Sequence, residues 1–267
     1  MPGTTQRKAH SGGKIKPLAF LLSVSLILGL LGLNILYSAQ TVALNLDFYE
    51  DGWVEFDVPY TTDMTLDELA RAGKALTEYF HNRTDTPQLD VTIYESIGPL
   101  YNQRELDHLV DVRNLFAIGF AAQKVCWMLL MLPALYLLAE WVRSRRGSAQ
   151  PRSSPDKEPS HLDNPLGALA TAFVIAGSVG LGALVLLAVP AVTDFTNWWT
   201  KFHLLSFTND LWLLDPKTDW LIKMFPEGFF FKAVTAIGLR SLTISVLILV
   251  SGLLLRRVGP GCDRRAS

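Results

Sequence analysis

Two of the five histidines in this 267-residue chain stand where a proton transfer would matter. His108 lies in an acidic amphipathic stretch seven residues ahead of an apolar run that opens at Leu115, about 10 Å along a helix. His203 lies in an aromatic segment, residues 197–207, dense in Trp and Phe. An imidazole exchanges its proton near neutral pH, so two at one depth could work on a shared group as base and acid. The plainer alternative is that each only hydrogen-bonds a loop carbonyl or a lipid headgroup. His10 and His161 fall in polar segments and His81 ends an exposed helix, which sets those three aside. Glu105 and Asp111 flank His108 at i−3 and i+3, and either carboxylate could share its helical face and fix its tautomer. Tyr101, at the entrance of the same helix, could donate to an oxyanion. Arg240 sits seven positions inside an otherwise apolar run, and buried membrane charge usually marks a cavity or a partner. A lipid-like anion, an ester carbonyl or a carboxylate such as Glu227 could answer it, or the side chain could snorkel outward. Lys124, midway along another run, poses the same question.

Composition says what must position these groups. At 49% hydrophobic and only 18% charged residues, the chain is too apolar for a soluble domain. About 20 apolar residues at 1.5 Å each cross the hydrocarbon layer, and four such runs are present: 18–37, 115–138, 166–192 and 233–255. The first is longer than a signal-peptide core and is followed by no clean small-residue cleavage site, so it is expected to stay as a span.

Lys and Arg in the flanks set the orientation. The tail 1–17, the connection 139–165 and the tail 256–267 hold 13 of the basic residues. Segments 38–114 and 193–232 hold 9, against 20 acidic residues over far more chain. A multi-pass cell-membrane protein with both termini cytoplasmic follows, and any interfacial site faces outward. The Pro/Ser-rich part of the 139–165 connection reads as a flexible linker. A net charge of −1 offers nothing to nucleic acid.

The outer segment 38–114 reads as a small α+β cap. Residues 53–58 and 89–94 alternate apolar with polar, as half-buried strands do. Thr65 with Glu68 three residues on is a capping box, and Leu66, Leu69, Leu76, Tyr79 and Phe80 predict a helix over 66–80. Asn102 with Glu105 caps a second helix that runs on into the membrane. The segment 193–232 reads as an interfacial loop, because Trp and Phe gather at the membrane surface. The fold class is therefore a mainly α integral membrane protein, four transmembrane helices with a small α+β extracytoplasmic cap.

Several chemistries lack support. No G-x-S-x-G, H-E-x-x-H, Walker A or G-x-G-x-x-G pattern occurs. Cys126 and Cys262 have no partner at metal or redox spacing; a two-histidine metal site stays open, but no clear third ligand accompanies the pair and none is assigned.

Residues 102–116, NQRELDHLVDVRNLF, and 202–231, FHLLSFTNDLWLLDPKTDWLIKMFPEGFFF, resemble the bacterial four-span family that includes the lipoprotein intramolecular transacylase, Lit. The specific parts are the H-x-x-D-V of His108 and Asp111 and the cluster His203, Asn209, Asp210, Trp212, Asp215 and Asp219. The resemblance implies an acyltransferase that moves an acyl chain from the diacylglyceryl group of a lipoprotein's first cysteine to that cysteine's own α-amine. It implies catalytic His108 and His203; because Asp111 stands within reach of His108, His108 is the expected base and His203 the acid or donor. Asn209, Trp212 and Arg240 are expected to bind substrate. A diacylglyceryl-modified lipoprotein and membrane lipid are the implied partners, and no cofactor is needed, because donor and acceptor share one molecule. An interfacial lipid or lipoprotein hydrolase and a non-catalytic scaffold or sensor are the alternatives.

Overall fold

The structure is a computed structural model that describes residues 17–146 and 165–258. The ends of both expected tails, most of the expected linker, His10, His161 and Cys262 lie outside the described residues. In chain order the elements are α1 (Pro17–Ala43), α2 (Leu46–Glu55), α3 (Val58–Thr62), α4 (Leu66–Phe80), β1 (Asp90–Ile93), β2 (Ser96–Pro99) and α5 (Gln103–Arg146). They are followed by α6 (Pro165–Thr193), α7 (Phe195–Ser206), α8 (Trp220–Met224) and α9 (Glu227–Val258).

Four of these helices are long and apolar enough to cross a membrane, over Phe20–Ala43, Gln103–Tyr136, Leu166–Thr193 and Glu227–Arg257. The chain is a multi-pass membrane protein. Helix α1 packs on α5, α6 and α9, and the closest pairing is α6 with α9. That pairing depends on missing side chains: a Cβ on Gly177 would meet the Leu249 backbone, and one on Gly252 would meet Val174 and Ala170. Small residues let helix backbones approach where lipid supplies no hydrophobic drive. Polar pins add to it. Asn34 Nδ2 of α1 donates to Ser245 Oγ at 2.8 Å and to the Ser241 carbonyl at 3.2 Å on α9, and Ser25 Oγ donates to the Leu129 carbonyl on α5 at 2.7 Å.

Elements α2 to β2 form a cap over one end of the bundle. The capping box is made: Thr65 Oγ1 accepts from the Glu68 amide at 3.2 Å and Glu68 Oε2 accepts from the Thr65 amide at 3.0 Å. Helix α4 then buries Leu69, Ala72, Leu76, Tyr79 and Phe80. Residues 53–58 are not a strand. The Asn45 side chain caps α2 by accepting from the Phe48 amide at 3.2 Å, and burial falls on Tyr49, Gly52 and Trp53, a helical spacing that the local alternation hid. The strand expected over 89–94 is β1, paired antiparallel with β2 from Asp90 opposite Pro99 to Ile93 opposite Ser96. Its turn, Tyr94–Glu95, has φ of 51° and 63°, the left-handed pair that a two-residue hairpin requires.

The cap core joins Tyr49, Trp53, Val58, Leu69, Leu76, Leu100 and Leu109 to Phe225 and Phe229 from the far end of the sequence. Helix α5 begins in the cap and continues without a break into its membrane span.

Candidate active site

The Asn102 cap fixes where α5 starts. Asn102 Oδ1 accepts from the Glu105 amide at 3.1 Å, and Glu105 Oε2 accepts from the Asn102 amide at 2.8 Å. From that start the first turns carry Arg104, Glu105, His108 and Asp111. Helix α7 begins where Asp194 Oδ1 accepts from the Asn197 amide at 3.1 Å, which places His203 in its last turn. Leu204, Leu205 and Leu213 nearby are 66%, 90% and 56% exposed, an apolar edge suited to lipid contact.

The two histidines meet. Their ring centroids lie 6.5 Å apart, tilted 35°, and both rings are buried. Phe207 touches both, at 5.3 Å from His108 and 5.8 Å from His203. Trp212 stacks on His203 at 4.8 Å, Trp199 meets it edge-on at 4.7 Å, and Phe202 lies at 5.4 Å. Two hydrogen bonds of about 3 Å through one shared atom span such a gap, so a single substrate group can engage both rings.

His203 Nδ1 lies 2.8 Å from the Trp199 carbonyl. A carbonyl only accepts, so Nδ1 carries the hydrogen, and Nε2 of the neutral ring keeps its lone pair. His108 Nδ1 is buried with no partner among the described residues. Burial pulls His108 down to about 4, with His203 adding and Asp111 opposing. Burial also lowers His203, against the Trp199 carbonyl. Both rings are neutral at neutral pH, one able to accept a proton and the other to donate a hydrogen bond.

Asp111 does not hold His108 by a hydrogen bond. Its Oδ2 accepts instead from Asn209 Nδ2 at 2.8 Å, so the loop between α7 and α8 takes the carboxylate expected for the ring. Asp111, Asn114, Ser206, Thr208 and Asn209 help to line a cavity of about 160 Å³. The same loop is tied down elsewhere. The Arg104 guanidinium donates to the Asp210 carbonyl, Asn102 Nδ2 donates to Asp219 Oδ1 at 2.9 Å, and Trp212 Nε1 donates to the Asn209 carbonyl at 3.0 Å.

Glu105 has a different place from the one its spacing suggested. It is fully buried, and its Oε1 accepts from the Leu221 amide at 2.6 Å, fastening α8 to α5. Burial raises its carboxyl above the usual range, and backbone amides of Leu221, Asn102 and Trp220 oppose the shift. Asp219 is held below the usual range although burial pushes it up, because the Asp215 amide, Thr218 and Asn102 donate to it. Tyr101 points its hydroxyl at Met224 Sδ, 4.0 Å away in the cap core. Phe207, which bridges the pair, carried no signal beyond belonging to an aromatic segment.

Arg240 stands apart. Helix α9 reaches the site through Phe230, 4.6 Å from Trp199, and Arg240 is ten residues farther along, about 15 Å by helical rise. Lys124 is exposed on α5. Among the described residues no three of His, Cys, Asp or Glu gather at metal-binding distance.

A four-helix membrane bundle, capped at one end and carrying a neutral histidine pair beneath that cap, defines the class of protein. The sequence profile described as lipoprotein intramolecular transacylase Lit matches residues 20–230, and the chain belongs to that family. Among curated proteins none matches it by sequence. Among solved structures it is similar to the in meso structure of the membrane-integral lipoprotein intramolecular transacylase Lit from Bacillus cereus: TM-score 0.66, 22% identity, 90% of this chain and 96% of that one. Two variants of the Bacillus cereus protein, with a histidine replaced by arginine or by alanine, match with TM-score 0.62 and 21% identity. Each covers 90% of this chain, and the matches span 92% and 94% of those chains respectively.

Proposed function

We propose that this protein moves an acyl chain from the diacylglyceryl group of a lipoprotein's amino-terminal cysteine to that cysteine's α-amine. The observation that carries the reading is the neutral pair, His108 and His203, with ring centroids 6.5 Å apart beside an apolar, lipid-facing edge. Family membership supports the reaction class, since the matching profile describes a lipoprotein transacylase. The site faces outward with both termini cytoplasmic, because the 13 basic residues of the tails and the 139–165 connection belong on the cytoplasmic side.

His203 is the base, because its Nδ1–H is committed to Trp199 and its Nε2 is free to accept. The substrate amine, in its unprotonated form, attacks the ester carbonyl. A C–N bond forms, His203 takes the amine proton, and the oxyanion is met by a hydrogen bond from His108. The C–O bond to glycerol then breaks, and His203 returns its proton to the glycerol oxygen. The product is an amide and a free hydroxyl, an isomer of the starting lipopeptide, so no water and no cofactor enter. A histidine that stays neutral far below pH 7 suits the donor role of His108, as its shift to about 4 provides. This order of roles reverses the one expected from an Asp111–His108 bond. Asn209 and Trp212 frame the substrate beside the pair.

The test expresses the protein with a reporter lipoprotein in a host lacking its own lipoprotein N-acylating enzyme, then sequences the amino-terminal lipopeptide by tandem mass spectrometry. The expected terminus carries one acyl group on the amine, and His203→Ala abolishes it while still inserting. An unchanged diacylglyceryl terminus beside well-inserted protein would refute the reading, and release of free fatty acid would replace it with hydrolysis.

A further inference from the structure

Two cations within the membrane part, Lys124 and Arg240, have no protein partner among the described residues, and only Arg240 lines a groove. Arg240 is exposed on α9, and no hydrogen bond or carboxylate engages it among the described residues. With Tyr37, Ser38, Leu239, Thr243 and Ile244 it lines a groove of about 300 Å³ between α1 and α9. Ser38 is fully buried there, and its hydroxyl also lacks a partner. Thr243 is not in the same condition, since its hydroxyl donates back to the Leu239 carbonyl at 2.9 Å. The groove thus combines an apolar wall, a charge and one unanswered hydroxyl.

An intramembrane guanidinium is costly unless it reaches the interface or meets an anion, and an anion at the interface satisfies both. Helix α9 starts at the cap, and helical side chains lean toward the N-terminus, so Arg240 reaches back toward the cap-side membrane surface. It lies eight residues beyond Lys232, which pairs with Glu55 of the cap, about 12 Å of helix that the long side chain partly recovers. A guanidinium pairs with a lipid phosphate chiefly through its charge, which an ammonium on a stem of similar reach also supplies.

We infer that this groove binds one phospholipid of the cap-side leaflet, its phosphate on Arg240, the Ser38 hydroxyl donating to a headgroup or glycerol oxygen, and an acyl chain along Leu239 and Ile244. The lipid is a resident and not the reacting ester, because the reacting carbonyl must sit between His108 and His203 and the groove opens about 15 Å of helix beyond Phe230. The inference does not depend on the transacylase reading.

Native mass spectrometry of the detergent-purified protein tests it, titrating phosphatidylglycerol and, as the phosphate-free control, diacylglycerol with the same chains. The wild type is expected to retain one phosphatidylglycerol and not to retain diacylglycerol. Arg240→Gln weakens retention about tenfold or more, as loss of a charge-assisted hydrogen bond requires. Arg240→Lys keeps most of it, and Ser38→Ala lowers it by a smaller factor. Equal retention by Arg240→Gln and wild type would overturn the proposal, as would equal retention of diacylglycerol. Rescue by lysine separates lost charge from misfolding, and a loss as large in Arg240→Lys as in Arg240→Gln would also overturn it.

Discussion

Two aromatic clusters sit side by side in this molecule and do opposite work. In the cap, Phe225 meets Phe229 at 5.0 Å and Tyr49 at 5.2 Å, both edge-on, around a fully buried Trp53. Beneath it, Trp199, Phe202, Phe207 and Trp212 enclose His203 in similar contacts. The two join at Phe230, 6.5 Å from Phe225 and 4.6 Å from Trp199. Burying rings that carry no charge stabilises the cap directly. Burying two titratable rings lowers their affinity for protons, so part of the packing stabilisation is spent on keeping them neutral. Similar packing thus yields stability in one cluster and a base with a hydrogen-bond donor in the other.

Substitutions in each cluster separate these roles. His203→Ala should lower lipopeptide turnover by about 100-fold or more, the range for losing a general base, with little change in thermal unfolding. Trp53→Ala should do the reverse, costing about 3–5 kcal/mol of stability with unchanged turnover per folded molecule, read by chemical denaturation alongside the rate. Glu105→Ala bridges the two regions. It strands the Leu221 and Asn102 amides at about 1–3 kcal/mol each, and it should lower both stability and rate, because α8 and the loop before it lose an anchor. If its rate held, the loop would not need that anchor.

The smallest effect is electrostatic. Because His108 falls to about 4 in the fold, the unfolded chain binds a proton that the native ring refuses. Stability should therefore decline as pH drops from about 6.5 toward 4. Imidazole NMR of histidine-labelled protein should find one ring that stays neutral until the pH nears 4, and Asp111→Asn should lower its titration further, since Asp111 opposes the shift. A His108 titrating at the ordinary histidine value would contradict the burial account.

Much of this was legible in local pattern. The four apolar runs announced the spanning helices, Thr65 with Glu68 announced α4, and the caps of α4 and α5 fell where the sequence put them. Residues 53–58 misled because a two-residue alternation and one turn of helix look alike over six positions, and the burial of Trp53 comes in part from Phe225, far along the chain. The site was legible as residue types and depth but not as bonds. Asn209 reaches Asp111 across 98 positions and Leu221 reaches Glu105 across 116, and no periodicity reports such pairings. They took both carboxylates from His108, whereas His203 is held locally, by the Trp199 carbonyl four residues back in its own helix.

The central claim, that one lipopeptide is both donor and acceptor, is tested most directly by a crossover measurement. Purified protein would receive an equal mixture of two synthetic diacylglyceryl lipopeptides, one with light acyl chains on a light peptide and one with heavy chains on a heavy peptide. Tandem mass spectrometry of the products should find amide-linked acyl groups only in the light–light and heavy–heavy combinations, and none with His203→Ala. Mixed light–heavy products, or fatty acid released without any amide, would contradict the account.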